Sequence, residues 1–542
     1  MQPKRRLPIG IQSFEIIRND NMVYVDKTDL VYNLVSSYCF VFLSRPRRFG
    51  KSLLVSTIKN LFWGNRELFK GLKIDSLEKD WVKHPVLNIS FASSDSGSDA
   101  ASLRQTIDYY LSAWEKDYAI KPSDAPLGLR LANVIRTAHT LTGQRVVFLV
   151  DEYDHPLLAN SADFGNNPYS LNAHSTQTSE QDKVRNILKG FYGALKDCAE
   201  HIRFALFTGV TKMTKVSIFS ELNNLKDISM NPQFSAICGV TESELVANFE
   251  PEILQLAQAN SLSVPHCLLN LKRKYDGYHF APNMLGVYNP FSLINAFDDK
   301  QFGNYWFESG SPTFLLHRIV ESNLSIASIS DHEIKASPDD LMSLVPEDML
   351  LIPLLYQTGY LTLSQGPDEF GEFILAFPNE EVSMSFFKRL APMYMRQIST
   401  FGEHGVRYTD IVRELRMGNL ANVMNILTSL FASVPYAASV SGGAFAYTEA
   451  LFQNAFYILF TLLGYDVRSE VRFAHGRADA IVQTSDTVYI FEFKRDGSAT
   501  EAIEQIRNQA YDVPFRALNK RIRLVGVNFS SQTKTISDWC EA

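Results

Sequence analysis

Alternating runs of apolar and polar residues near the C-terminus predict two paired strands. Residues 478–482 and 488–494 are rich in β-branched and aromatic side chains, and a polar stretch separates the two runs. Because side chains alternate across a strand, Glu492 and Lys494 should lie on one face of the second strand. A hairpin with a turn of this length would bring Asp479 next to Glu492.

The elements predicted on either side of this hairpin give an α-β-β-α-β order. A helix is expected over residues 449–463, a second helix around residues 502–510, and a last strand over residues 522–529. Glu449 begins the first helix, where an acid either complements the helix dipole or adds a further carboxylate to the site. Gln505 on the second helix could reach the same place.

Two carboxylates and a lysine in this arrangement predict a metal-dependent nuclease centre. Asp479 and Glu492 would repel each other at close range unless a cation joins them, and Mg²⁺ prefers oxygen ligands. The metal would polarise a phosphodiester oxygen and acidify the attacking water, while Lys494 would orient that water and offset developing charge. These three residues are the candidate catalytic groups, with Glu449 as an additional candidate ligand. The alternative interpretation is a surface hairpin with solvated charges.

A strand, a loop and a helix in succession indicate a second site near the N-terminus. Residues 39–43 form an apolar run typical of a buried parallel strand, and a basic loop follows. In that loop Gly50 would let the backbone approach a phosphate, Lys51 would reach the β- and γ-phosphates of ATP, and Ser52 would ligate Mg²⁺. Arg45 occupies the place of the first glycine in the usual phosphate-binding motif, so a basic loop before a helix is the alternative.

Two further strands would complete this nucleotide site. Residues 146–150 are apolar and run into Asp151 and Glu152, which predicts a Mg²⁺ ligand followed by a water-activating base. Residues 204–209 form another apolar run, in which Thr208 could sense the γ-phosphate. Strands that alternate with helices favour a parallel sheet, and ligand sites in such sheets lie at the carboxyl ends of the strands.

Residues 438–542 resemble the PD-(D/E)xK nuclease superfamily, in which an acid followed by Glu-x-Lys marks the active site. The Gly-Arg-Ala-Asp and Phe-Glu-Phe-Lys motifs are most similar to the branch that is fused to an AAA-ATPase-like domain. The resemblance implies catalytic roles for Asp479, Glu492 and Lys494.

The N-terminal half resembles the AAA-ATPase-like family, whose signature is close to the sequence of residues 45–53. An arginine at position 45 is normal within that family. Stretches within residues 24–28, 275–278, 288–292 and 305–310 fit the same family, so the resemblance covers nearly the whole chain. It implies that the matching residues of the loop and of the third strand bind ATP, namely Arg47, Arg48, Phe49, Gly50, Lys51, Ser52 and Thr208.

The predicted fold class is α/β, with four parts. A P-loop NTPase domain with a parallel sheet is expected over residues 1–240, and a helical lid or winged-helix-like module over residues 241–330. A mostly helical connector with a small hairpin is expected over residues 331–437, followed by an α/β restriction-endonuclease-like nuclease domain over residues 438–542. The polar residues 159–182 predict an exposed loop close to the nucleotide site.

Composition narrows the class of protein. The net charge of −7 excludes a basic chain that coats nucleic acid, although the basic residues within 516–523 could meet a backbone locally. No apolar run approaches the ~18 residues of a membrane span, and the basic N-terminus lacks the apolar core of a secretory signal. Five scattered cysteines predict neither a disulfide framework nor a zinc site and suit a reducing interior, so a cytoplasmic location is expected.

These patterns predict an ATP-binding protein, and more narrowly an ATPase, coupled to a metal-dependent nucleic-acid phosphodiesterase. ATP and Mg²⁺ are the expected cofactors, nucleic acid is the expected partner with DNA favoured over RNA, and a homo-oligomer is left open. No residue is identified as an arginine finger, and Arg203 is a candidate only through its nearness to the third strand. The alternative function is a nucleotide-dependent molecular switch whose nuclease-like domain only binds nucleic acid or a protein partner.

Overall fold

The computed structural model of the chain divides into two compact units. The first comprises Met1–Ser309 and Lys335–Glu381, and the second comprises Gly310–Ile334 and Val382–Ala542. This division is coarser than the four predicted domains, whose boundaries remain predictions. The structure describes residues 6–92, 99–159, 180–212, 224–306, 315–316, 318–319, 322, 324, 326–330, 333–342, 350–394, 411, 413–414, 417–432, 457–458, 466–473, 476–484, 486–518, 520–530, 532–533 and 535–542.

A five-stranded sheet forms the centre of the first unit. It consists of β1 (Phe40–Ser44), β2 (Val86–Ser90), β3 (Val146–Asp151), β4 (Ile202–Gly209) and β5 (Lys226–Asp227). All neighbouring pairs are parallel, which confirms the predicted parallel sheet. The order β2-β3-β4-β1-β5 places β4 between the strand before the phosphate-binding loop and the strand that ends at Asp151. β1 and β3 are buried along their whole length, which explains their continuous apolar sequences.

Helices separate these strands along the chain. They are α1 (Phe14–Asn19), α2 (Thr28–Ser37), α3 (Lys51–Phe62), α4 (Arg66–Phe69), α5 (Lys73–Leu77), α6 (Ala100–Asp117), α7 (Leu127–Thr142), α8 (His155–Ala159) and α9 (Glu180–Asp197). α6 begins where the Asp99 side chain accepts a hydrogen bond from the Ser102 N–H, and α7 ends at Gly143 in the left-handed conformation.

A helical module follows the sheet, as the sequence predicts. It contains α10 (Glu242–Ala259), α11 (Val264–Tyr275), the short antiparallel pair β6 (Tyr278–His279) and β7 (Gly286–Val287), and α12 (Pro290–Asp299). α10 begins with a capping box in which Thr241 and Glu244 exchange hydrogen bonds. The three helices share one apolar core, which includes Leu245, Phe249, Leu256, Leu271 and Tyr288.

The chain then passes through the second unit over Gly310–Ile334, which includes α13 (Ile326–Ser330), and returns to the first. The returning part contains β8 (Ile334–Ala336), α14 (Pro338–Leu341), α15 (Leu351–Thr358), β9 (Thr362–Leu363) and β10 (Phe373–Ala376). β9 and β10 are antiparallel, which confirms the predicted small hairpin, and β8 joins β10 to complete a three-stranded sheet.

The second unit contains a mixed five-stranded sheet. After α16 (Glu380–Tyr394) and α17 (Leu420–Ala432) come β11 (Asp466–Phe473), β12 (Gly476–Gln483), β13 (Thr487–Arg495), β14 (Arg521–Ser530) and β15 (Thr535–Glu541), which are neighbours in that order. α18 (Ala499–Asn508) connects β13 to β14, the parallel pair of the sheet. Ile503 and Ile506 of α18 join a core with Ile481, Val488 and Ile490 of the strands.

The predicted α-β-β-α-β order lacks two of these strands. β11 and β15 lie at the two edges of the sheet. Only one residue of β15 is buried, so this strand has no continuous apolar run that would predict it. Most of residues 449–463, including Glu449, and most of the predicted loop 159–182 lie outside the described residues. Among the described helices, none combines the length and apolar character that crossing a membrane requires.

Candidate functional site

The loop between β1 and α3 has the form that phosphate binding requires. Gly50 precedes α3 with φ of 88°, a left-handed conformation that an L side chain rarely adopts. α3 begins at Lys51, so the N–H groups of its first turn and the positive end of the helix dipole face the end of the loop. Ser52 in that turn is half-buried. Sequence reasoning placed these three residues correctly at the strand–loop–helix junction.

Arg45 explains how the loop holds its shape without the first glycine of the usual motif. Its guanidinium is buried, and Nη1 donates hydrogen bonds to Ser44 O at 2.9 Å and Ser229 O at 2.7 Å. The same guanidinium lies 4.3 Å from the centroid of the Phe280 ring. Arg45 therefore fastens the base of the loop to the surrounding protein and does not extend toward a phosphate.

Lys51 is held inside the loop. Its Nζ donates hydrogen bonds to Arg45 O at 2.9 Å and to Pro46 O at 3.0 Å. Burial lowers the pKa of Lys51 below that of an exposed lysine, and the nearby Asp151 carboxylate opposes this shift. If a phosphate binds here, its oxygens would therefore replace the two carbonyl groups as hydrogen-bond acceptors of Lys51 Nζ.

The side chains of Arg48 and Phe49 contact protein. Arg48 Nη1 donates to Tyr305 O at 2.6 Å, and its guanidinium lies 3.6 Å from the Phe291 ring centroid. The Phe49 ring is buried edge-on against Tyr278 at 4.7 Å. Because both side chains contact protein, Arg48 and Phe49 would contact ATP through their backbone groups. These contacts remain predictions. Arg47, the preceding loop residue, is exposed.

The predicted acids and Thr208 meet at the carboxyl ends of β3 and β4. The Thr208 hydroxyl donates to Asp151 Oδ1 at 2.7 Å, and the Glu152 N–H donates to the same oxygen at 3.1 Å. Glu152 has a positive φ of 55°, which turns the chain sharply after the strand. Burial and then the neighbouring Asp151 raise the pKa of Glu152, as suits a base that accepts a proton from water.

Sequence reasoning missed Asp154, which fastens the chain after β4. Its Oδ2 accepts hydrogen bonds from the Val210 N–H at 3.0 Å and from both the N–H and the hydroxyl of Thr211 at 2.7 Å. A Cβ on Gly209 would lie 2.5 Å from Asp154 Oδ1, so only glycine permits this approach. The available signal was a second aspartate three residues after Asp151, which ends a buried strand.

The three candidate nuclease residues come together on β12 and β13. The strands are antiparallel, with Ala480 opposite Phe491, so Asp479 and Glu492 follow as neighbours across the hairpin. Asp479 Oδ2 accepts a hydrogen bond from the Phe493 N–H at 2.7 Å. Lys494 Nζ lies 3.5 Å from Glu492 Oε1. The lysine also donates to Gln505 Oε1 of α18, which places Gln505 at the site as the sequence suggested.

Glu492 is the most perturbed group of this site. Its side chain is only 3% exposed, and burial, followed by the nearby Asp479 carboxylate, raises the pKa of Glu492 to about 8. Its Oε2 atom is buried without a hydrogen-bond partner among the described residues. A divalent cation between Asp479 and Glu492 would offset the repulsion between the two carboxylates and give the buried Oε2 atom a partner. The carboxylate oxygens of the two residues therefore fit a Mg²⁺ ion. No cluster of three or more metal-binding side chains occurs in the described ranges, so the remaining ligands would be water or substrate oxygens.

Comparisons with known proteins identify the two domains. Residues 8–219 match a family described as a predicted AAA-ATPase, and residues 447–539 match the PD-(D/E)XK nuclease superfamily. The chain is also 35% identical over 541 residues to an uncharacterized protein in the vnfD 5' region of Azotobacter chroococcum mcd 1, with 98% of each chain covered. This chain belongs to the AAA-ATPase-like proteins that carry a C-terminal PD-(D/E)XK domain.

The raised pKa of Glu492 predicts a distinctive pH dependence for the PD-(D/E)XK domain without metal. A carboxyl whose pKa is about 8 in the folded state and about 4.3 in the unfolded chain stabilises the fold below pH 4.3. That contribution is lost as the pH rises toward 8, at up to about 1.4 kcal/mol per pH unit. In EDTA, the unfolding free energy of Glu492→Gln should therefore rise relative to wild type between pH 5 and pH 8.

Urea unfolding of the two proteins at each pH measures this difference. Glu504→Gln is the matched control, because Glu504 is an exposed acid on α18. Its difference from wild type should stay constant with pH. Parallel pH profiles for wild type and Glu492→Gln would show that Glu492 ionises normally in the folded protein.

Proposed function

We propose that this protein binds and hydrolyses ATP at the AAA-ATPase-like site and uses it to control a Mg²⁺-dependent nuclease in its PD-(D/E)XK domain. The observation that carries the proposal is the pairing of the half-buried Asp479 with the buried Glu492, with Lys494 beside Glu492. Placing a second carboxylate next to a buried one destabilises a protein unless a cation binds between them. The substrate class is nucleic acid, with DNA favoured over RNA.

At the nucleotide site, each residue has a role that follows from its position. Lys51 and the N–H groups at the start of α3 would bind the phosphates, while Ser52 and Asp151 would hold Mg²⁺. Thr208 keeps Asp151 oriented through its hydroxyl. Glu152, with its raised pKa, would accept the proton of the attacking water.

At the nuclease site the surrounding chain fixes each group in place. The Phe493 N–H orients Asp479, and Gln505 orients Lys494, so neither side chain must be ordered during the reaction. A bound Mg²⁺ would supply Lewis acidity and lower the pKa of a water molecule. Lys494 would hold that water near the phosphodiester and neutralise charge that develops on the phosphate oxygens. Glu492 would stay ionised at neutral pH once the cation is present.

We also propose that the protein is cytoplasmic and that its nuclease domain begins near residue 438. We propose further that it forms a homo-oligomer, which a measurement of its mass in solution would test. The cysteines support the first of these, because none of the five forms a disulfide.

Nucleotide and nucleic acid should affect each other on the intact protein. Circular and linear DNA and RNA, incubated with Mg²⁺ or Mn²⁺, should be cut to different extents with and without ATP. Coupling in binding is reciprocal, so a bound nucleic acid should also change the Kd for ATP or the rate of hydrolysis. If ATP is hydrolysed but no nucleic acid is cut under any condition, the switch function replaces the nuclease. If saturating nucleic acid leaves ATP binding and turnover unchanged, and ATP leaves cutting unchanged, the two activities are independent.

A further inference from the structure

The chain path of residues 335–381 is unusual, and we call these residues the return segment. They belong to the first unit, but in sequence they lie between two parts of the second unit, Gly310–Ile334 and Val382–Ala542. Peptide bonds therefore join the return segment to the second unit at both of its ends. The return segment is therefore linked through the chain, at two places, to the unit that contains Glu492.

The return segment packs against the phosphate-binding loop. α15 ends at Gly359, which has a φ of 89°, and a Cβ at this position would lie 2.6 Å from Cβ of Pro46. The Pro46 ring therefore rests on the backbone at the end of α15 with no space between them. Pro46 is also the residue whose carbonyl accepts a hydrogen bond from Lys51 Nζ at 3.0 Å.

One turn of α15 also reaches the chain that follows β4. Gln357 is buried, and its Oε1 accepts a hydrogen bond from the Lys212 N–H at 2.7 Å. Its Nε2 donates to Leu341 O at 2.7 Å, so both ends of the amide are used and its orientation is fixed. Lys212 directly follows Thr211, which Asp154 holds with two hydrogen bonds.

The other end of the return segment is anchored on the helical module. The His279 N–H donates to the Thr362 hydroxyl at 2.7 Å, and His279 Nδ1 lies 2.8 Å from Leu363 O. Asn379 Nδ2 donates to Asp276 O at 2.8 Å. α15 therefore lies between a firm attachment to the module and two contacts with the nucleotide site.

We propose that Gln357 is a positioning residue for the nucleotide site, and that the return segment carries the nucleotide state to the second unit. The inference rests on the proposed binding of ATP at Lys51. Phosphate binding would take Lys51 Nζ from the Pro46 carbonyl, and because the Pro46 ring rests on Gly359, a shift of the loop must move the end of α15. A second connection starts at Thr208, which is expected near the γ-phosphate and contacts Asp151. From Thr208 the chain runs to Lys212, whose N–H donates to Gln357 of the same helix.

The test compares full-length Gln357→Met with a matched control, Thr358→Val. Methionine keeps the length of the side chain and removes both amide hydrogen bonds. The Thr358 hydroxyl donates to Leu354 O and Leu355 O, both within its own helix. Three quantities are measured for each protein: the Kd for ATP, the kcat for ATP hydrolysis, and hydrogen–deuterium exchange of residues 351–363 with and without ATP.

In wild type and in Thr358→Val, ATP should change the exchange of residues 351–363. In Gln357→Met this response should be lost and kcat should fall about tenfold, with Kd within about threefold of wild type. A residue that only supports the fold would lower ATP binding and the thermal midpoint together and would not separate kcat from Kd. If the methionine variant does not fold, Gln357→Leu takes its place, because it also lacks both hydrogen-bonding groups. Gln357→Glu keeps the acceptor for Lys212 and should keep the response to ATP.

Two outcomes overturn the proposal in distinguishable ways. If wild type binds ATP and the exchange of residues 351–363 does not change, or if Gln357→Met behaves like Thr358→Val, the return segment does not transmit the nucleotide state. If wild type does not bind ATP at all, the proposed function fails first and the inference fails with it.

Discussion

Lys494→Ala should lower nucleic-acid cleavage by about 10²–10³-fold and leave the protein folded. Lys494 lies 3.5 Å from Glu492 and is held by Gln505, so it is placed to act on a water molecule and on phosphate charge. Its removal should cost little stability, because the side chain is 28% exposed and Lys494 does not belong to the apolar core of this sheet. The measurement is the rate of cleavage of the best substrate, with the thermal midpoint as a check on folding.

Arg495→Ala provides the matched control for this variant. Arg495 is the next residue of β13, its side chain is exposed, and it points to the opposite face of the strand. The Arg495→Ala variant should therefore cleave nucleic acid at the wild-type rate. Equal cleavage by wild type and Lys494→Ala would mean that a contaminating nuclease made the cuts.

Asp479→Asn and Glu492→Gln should reduce cleavage at least as strongly, since each removes a carboxylate that would hold Mg²⁺. EDTA should abolish cleavage by the wild-type protein. Ca²⁺ should bind without supporting the reaction if the site requires the octahedral geometry of Mg²⁺.

Lys51→Ala should weaken ATP binding by about ten- to hundredfold. Lys51 provides a buried positive charge at the end of the phosphate-binding loop, and the contact it makes with phosphate is charge-assisted. Calorimetry or displacement of a fluorescent nucleotide measures the change in Kd. Lys59→Ala on the same helix is the control, because Lys59 lies over the Trp63 ring at 4.7 Å and is remote from the loop.

Glu152→Gln should separate binding from turnover at the same site. It keeps the size of the side chain and leaves the Asp151–Thr208 hydrogen bond in place, so ATP should bind as in wild type. Hydrolysis should stop, because an amide cannot accept the proton of the attacking water. For the other variant, Lys51→Ala, an unchanged Kd for ATP would show that ATP binds at a different place on the protein.

Buried parallel strands were predictable from this sequence, and with them the position of the phosphate-binding loop and of Asp151. β1 and β3 are buried on both faces, so their sequences are apolar throughout and point unambiguously to the residues at their carboxyl ends. Asp479 and Glu492 could be paired because a short turn fixes the register of the hairpin between them. These are local features, and local sequence determines them.

Contacts between distant parts of the chain were not predictable. Arg45 reaches Ser229, and Gln357 reaches Lys212, across separations in sequence that no periodic pattern records. The edge strand β15 was missed because exposed positions accept polar residues. The raised pKa of Glu492 follows from burial, which depends on how α18 and the sheet pack around it.

The position of the return segment also sets a schedule for biosynthesis. A ribosome makes residues 1–309 first, and at that stage Pro46 and Lys212 lack Gly359 and Gln357, their partners in the folded unit. The partners emerge only after Gly310–Ile334, the first stretch of the second unit, has been translated. We therefore expect nascent chains to remain unable to respond to ATP until translation has passed residue 359. A fragment that ends at residue 309 should share this defect.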